Sequence, residues 1–149
     1  MIIKSENREE ENAGFFGEKN QEKKELLLAA LWNFHDQGRD DVSLAEFQES
    51  IFEFQKSLPS LRYSFSDRFM LSADLLSDLK WLDDKGYIRD YHCRLDGLLP
   101  KRFLSLTSLG RGVGKNVSQN NAVDFAKNLN SAVSTAIENY HKRWRLWVR

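Results

Sequence analysis

Residues 71–113 limit the folds open to this chain more than any other stretch. Leu71, Leu75, Leu79 and Leu82 recur at helical spacing, with Leu76 beside them. Gly86 follows, and a glycine just past a periodic run suits the left-handed position that ends a helix. Tyr87 to Cys93 then reads as a strand, Arg94-Leu-Asp-Gly97 as a hairpin tip, and Lys101 to Leu106 as the return strand. Thr107-Ser-Leu-Gly110 opens the next helical turn. A helix delivered through a tight turn into a hairpin makes a small unit better suited to binding than to catalysis.

The preceding residues complete that unit. A helix from about Glu22 to Gln37 places Leu27, Ala30, Leu31 and Phe34 on one face, and Gly38 supplies its stop. Asp40-Asp41-Val42 leaves room for one or two strand residues. Ser43-Leu-Ala-Glu46 is a capping box, in which Ser accepts an early backbone N–H and Glu reaches back. The helix it opens runs to about Ser57 with Leu44, Phe47, Ile51, Phe54 and Leu58 inward, and Pro59 forbids continuation. Residues 59–70 form a connection longer than a simple helix-turn-helix allows, and its Tyr63, Phe65 and Phe69 predict that it packs down.

The expected fold class is therefore mainly α (α+β): a winged helix-turn-helix domain over 21–113, with a short β-hairpin wing and a long C-terminal helix. Residues 1–20, with Arg8-Glu-Glu-Glu11 and Gly14-Phe-Phe-Gly17, read as a flexible N-terminal arm, because such segments bury too little to offset ordering entropy. Gly110, Gly112 and Gly114 predict a hinge over 114–119. Over 120–149 Ala122, Ala126, Leu129, Val133, Ala136, Tyr140, Trp144 and Trp147 then form one amphipathic stripe. From Asn120 to Val148 that helix would be about 43 Å long, more than one side of the domain needs. It predicts a homodimer through Leu129, Val133, Tyr140, Trp144 and Trp147, or else fold-back onto the first helix, whose Leu27, Leu31 and Phe34 need cover.

No window approaches the roughly 18 apolar residues of a membrane span. The start, Met1-Ile-Ile-Lys4, lacks the apolar stretch of a secretory signal. One cysteine, Cys93, permits no intrachain disulfide and fits a reducing cytoplasm. Net charge is zero but unevenly spread. Residues 1–85 hold 11 Lys/Arg against 18 Asp/Glu (11 − 18 = −7), and residues 86–149 hold 11 against 4 (11 − 4 = +7). Such asymmetry suits either a charged partner or halves that attract each other.

The third helix decides between partners. A helix that reads duplex DNA offers Arg, Lys, Asn or Gln to base edges. Residues 71–85 hold two Lys and four Asp (2 − 4 = −2), a balance that phosphates repel. Asp74, Asp78 and Trp81 are the expected partner-binding residues, since aromatic anchors dominate protein interfaces. The alternative is nucleic-acid binding led by the wing through Arg89, Arg94, Lys101 and Arg102, with Arg111 and Lys115 following. The basic, Trp-rich end from His141 to Arg149 suits packing on the domain or a twin helix, gripping nucleic acid, or touching an anionic membrane.

Nothing converges as a catalytic site would. Gly110-Arg-Gly-Val-Gly-Lys115-Asn116 misses the phosphate-loop motif at two positions, Leu109 and Asn116. His92 and Cys93 are strand neighbours, so their side chains point to opposite faces and form no dyad. No cofactor, no metal site and no enzymatic activity are expected.

Two resemblances bear on the domain. Gly86-Tyr87-Ile88 with Arg102-Phe103-Leu-Ser-Leu106-Thr107-Ser-Leu-Gly110 resembles the wing and exit of PadR- and MarR-type bacterial regulators. This implies DNA binding and dimerisation through a C-terminal helix. Phe47-Gln-Glu-Ser-Ile-Phe52, Tyr63-Ser-Phe-Ser-Asp67, Ser72-Ala-Asp-Leu-Leu-Ser-Asp-Leu79, Gly86-Tyr-Ile88 and Leu106-Thr107 are similar to the Panacea antitoxin-like domains. That resemblance spans roughly residues 22–113 and implies a protein partner in a regulatory or antitoxin-like assembly.

Overall fold

The computed structural model describes residues 21–66, 71–93, 101–120 and 125–148, with the side chains of 21, 140, 141 and 143–148 outside the description. The expected N-terminal arm, Phe69, Arg94 with the hairpin tip, Ala122, and the side chains of Tyr140, Trp144 and Trp147 lie outside the described residues.

The elements are α1 (Gln21–Asp36), β1 (Val42–Ser43), α2 (Leu44–Phe54), α3 (Ala73–Asp84), β2 (Ile88–Cys93), β3 (Lys101–Leu106), α4 (Ser108–Asn120) and α5 (Phe125–Val148). The strands form an antiparallel sheet in the order β1-β3-β2. Val42 pairs with Leu104, while Ile88 pairs with Leu106 and Cys93 with Lys101. Helix, strand, two helices and a hairpin whose return strand lies in the middle make a winged helix-turn-helix, within a mainly helical α+β chain. Among the described residues no helix is long and apolar enough to cross a membrane.

Local chemistry sets each boundary. Gly38 and Gly86 take positive φ, +87° and +83°, where α1 and α3 end. Ser43 Oγ accepts the Glu46 N–H at 3.2 Å, which is the first half of the capping box. The second half differs, because both Glu46 oxygens hold the Arg39 guanidinium at 2.6 Å instead of reaching back. Helix α3 starts at Ala73 rather than Leu71, since Ser72 is its cap and accepts the Leu75 N–H. Leu71, expected inside, is 50% exposed.

The described part of the connection, residues 59–66, packs down as expected, held by Gln55 just after α2, and Gln48 of α2 holds Ser72 beyond it. Gln55 clamps the Tyr63 backbone from both sides, donating to its carbonyl at 3.0 Å and accepting its N–H at 2.9 Å. Gln48, buried, accepts the Ser72 N–H at 3.1 Å. Phe65 stands edge-on against Phe52. A buried amide is tolerated here because it satisfies a backbone group that would otherwise go unpaired.

Two expectations about the C-terminal third are corrected. Residues 114–119 are no hinge: they lie within α4, which packs along α1. Gly110 and Gly114 allow this, since a Cβ on Gly110 would stand 1.9 Å from the Tyr87 carbonyl oxygen and one on Gly114 2.5 Å from that of Leu28. With α4 on its second side, α1 buries Leu26 to Leu31 without interruption instead of a single stripe. Helix α5 folds back, but onto α2 rather than α1. Its inward line is Phe125, Leu129, Ala132 and Ala136, so Ala126 is exposed. Phe125 meets Phe54 edge to face at 5.1 Å. Leu129, expected in a dimer contact, is buried within its own chain at 1% exposure, and Val133 is half-buried beside the same core.

Candidate functional site

Helix α3 and the hairpin form the surface a winged helix ordinarily presents. Leu75, Leu79 and Leu82 point wholly into the core, which turns Ala73, Asp74, Ser77, Lys80 and Asp84 outward. Each of the four aspartates has work inside the chain. Asp74 accepts the Ser72 hydroxyl at 2.5 Å and the Ser64 N–H at 3.2 Å, fixing the connection to the helix start. Burial works against its carboxylate, but these hydrogen bonds and nearby Lys23 prevail and hold its pKa below the usual value.

Asp78 accepts the Tyr63 hydroxyl at 2.6 Å, with Lys24 Nζ 3.9 Å away. Burial, then this bond to a carboxylate, pushes the Tyr63 phenol far above its ordinary range. Asp83 accepts the Asp90 N–H at 3.4 Å, tying α3 to the wing. Asp84 pairs with Lys80 at 3.4 Å across one exposed helical turn, a pair worth little in water.

Of the three expected partner-binding residues, only Asp74 stands in solvent. Asp78 is half-covered by Tyr63 and Lys24. Trp81 is no exposed anchor: it lies parallel to Tyr87, with ring centroids 6.3 Å apart. Lys24 and Lys85 stand over it at 4.7 and 5.7 Å. Among the described residues the exposed large apolar side chain at this surface is Leu71, which the sequence pattern places inside.

The wing divides the expected nucleic-acid set. Arg89 and Lys101 are exposed. Arg102 is committed to Asp90, its Nε donating at 3.1 Å while its terminal nitrogen bonds the other carboxylate oxygen. This bond raises the guanidinium pKa, although burial opposes it. The Asp90 side chain is only 8% exposed, so the pair holds the hairpin together instead of offering a free cation. Arg102→Ala would strand that carboxylate and should cost about 1–3 kcal/mol. Asp90→Asn with Arg102→Ala should recover part of the loss in urea unfolding, whereas additive losses would refute the coupling. Nearby, Tyr91 donates to Asp41 at 2.5 Å, which lifts its phenol to about 12.

Among the described residues no three His, Cys, Asp or Glu side chains are placed to hold a metal ion. The Gly110–Lys115 run is helix and not a loop, so its backbone N–H groups are not splayed toward a phosphate.

Neither a protein-family model nor a curated protein matches the chain. Among solved structures it is similar to the circadian clock associated protein Pex from Anabaena, at 20% identity and a TM-score of 0.39. The likeness covers 64% of this chain and 74% of that one. At that score it decides neither fold nor function.

Proposed function

We propose that this chain is a non-enzymatic winged-helix interaction module that binds a protein partner through the outer face of α3. The assembly is regulatory or antitoxin-like, as the Panacea resemblance implies. One observation carries the reading: the helix placed to read DNA contains no Arg, Asn or Gln, and its one Lys is paired with Asp84. The commonest specific base contacts are bidentate ones from Arg, Lys, Asn or Gln, and this face has no free side chain of those types to give. It presents Leu71, Ala73 and Ser77 beside Asp74, an apolar centre with a polar rim.

Exposed Arg89 and Lys101 favour a second reading, a DNA-binding regulator of PadR/MarR type led by its wing. Affinity purification from the native host, with protein and nucleic acid both analysed, separates the two. A protein partner should survive nuclease treatment and be lost with Leu71→Arg and with Ser77→Arg, since neither residue is buried. A partner indifferent to both substitutions would reject the α3 surface. Recovery of one specific duplex, abolished by Arg89→Glu with Lys101→Glu, would establish the second reading.

A further inference from the structure

The two close-packed glycines of α4 leave a third unexplained. Gly110 and Gly114 face α1 and the start of β2, where a Cβ would meet backbone. Gly112 faces away, is exposed, and has nothing within 4 Å of where its Cβ would stand. A glycine there weakens the helix and gains no packing in return. Glycine at an exposed helical position suits close approach of a ligand to the backbone.

The residues around Gly112 name the ligand's chemistry. No Asp or Glu occurs from Gly97 to Val123. The outward residues of α4 include Arg111, Lys115, Asn116 and Gln119, all exposed. Arg111, Lys115 and Gln119 stand at i, i+4 and i+8, one line along the helix, with Gly112 and Asn116 alongside. That line covers about 12 Å at the α-helical rise. Arg39, Lys56, Lys80 and Arg102 each pair with a carboxylate, whereas no ion pair is formed by Arg111 or Lys115 among the described residues. The docking of α4 against α1, with Asn33 donating to Ser118 Oγ at 3.1 Å, fixes this face before any ligand arrives.

We infer that the outer face of α4 grips the phosphate backbone of duplex DNA. This surface is separate from α3, and its ligand is distinct from the protein partner proposed there. Arg111 supplies a fork that matches two phosphate oxygens, and Lys115 supplies a point charge. Asn116 and Gln119 donate to phosphate or sugar oxygens, and Gly112 lets the backbone come close. Contacts of this kind carry no base information, so binding is indifferent to sequence and sensitive to salt.

Fluorescence anisotropy of the full chain with a labelled random-sequence duplex tests this at about 50 and about 200 mM salt. Arg111→Glu with Lys115→Glu should weaken binding at least about tenfold and flatten the salt slope by about two contacts. Gly112→Ala should raise the thermal midpoint and yet weaken binding, a combination that a purely structural glycine would not give. Arg89→Glu with Lys101→Glu is the control of equal charge and should change affinity much less. Three results would overturn the proposal: no binding by the wild type, a wing control as damaging as the α4 pair, or unchanged affinity with Gly112→Ala. Thermal unfolding of each variant separates lost binding from lost fold.

Discussion

Gly114→Leu is expected to undock α4 and cost about 3 kcal/mol or more, the upper end of what overpacking does. The clash is with backbone, which cannot rotate aside. A Cβ at this position would lie 2.5 Å from the Leu28 carbonyl oxygen and 2.9 Å from Trp32 Cβ. Relief requires α4 to move off α1, and that would uncover the second face of a helix buried from Leu26 to Leu31. Gly112→Ala tests the same helix with the opposite sign. It meets nothing, removes unfolded-state freedom and improves helix propensity, so it should stabilise by about 0.5–1 kcal/mol. Urea unfolding of both variants checks the pair. A Gly114→Leu midpoint equal to that of the wild type would mean that α4 is not docked here.

Those glycines also show where sequence pattern stops being sufficient. Three glycines within five positions look like a hinge, because each costs about 1 kcal/mol against alanine in a helix. The cost is offset by tertiary packing, and only the partner helix reveals it. The apolar set of α4 is short (Leu109, Val113 and Val117, with Leu109 itself 54% exposed), and three glycines interrupt it, so the sequence pattern reads as a hinge. By contrast the buried face of α3, the two hairpin strands and the Ser43 cap were legible, since leucine spacing and short-range turn chemistry suffice for them.

Site residues were harder to read because their neighbours come from afar. Asp78 lost its freedom to Tyr63, 15 residues earlier, and to Lys24 on another helix. Arg102 lost its own across the hairpin. Trp81 was covered by Tyr87, just past the Gly86 turn, and that stacking could have been anticipated from the sharpness of the turn. In α5 the buried line runs through Phe125 and Ala132, each one position before the Ala126 and Val133 of the apparent stripe, while Leu129 and Ala136 belong to both. Ser72 as a cap was likewise readable from its type and place, and it would have put Leu71 outside.

Leu79→Ala should cost about 2–5 kcal/mol, as burial of the side chain is lost and the cavity left behind only partly closes. Leu79 is fully buried, with Leu75 and Leu82 one turn to either side and equally buried. The same substitution at Leu71, 50% exposed, should stay within about 0.5 kcal/mol. The contrast is informative because both leucines belong to one helical repeat in the sequence. A single stripe running from 71 to 82 predicts similar penalties, whereas a helix capped at Ser72 predicts a large one and a negligible one. The distinction reaches function, since the residue left outside by that cap is the apolar centre of the proposed α3 surface. Thermal or urea unfolding of the two variants measures it. Equal losses would put Leu71 back in the core and remove that surface, and a negligible loss at Leu79 would break the register of α3 itself.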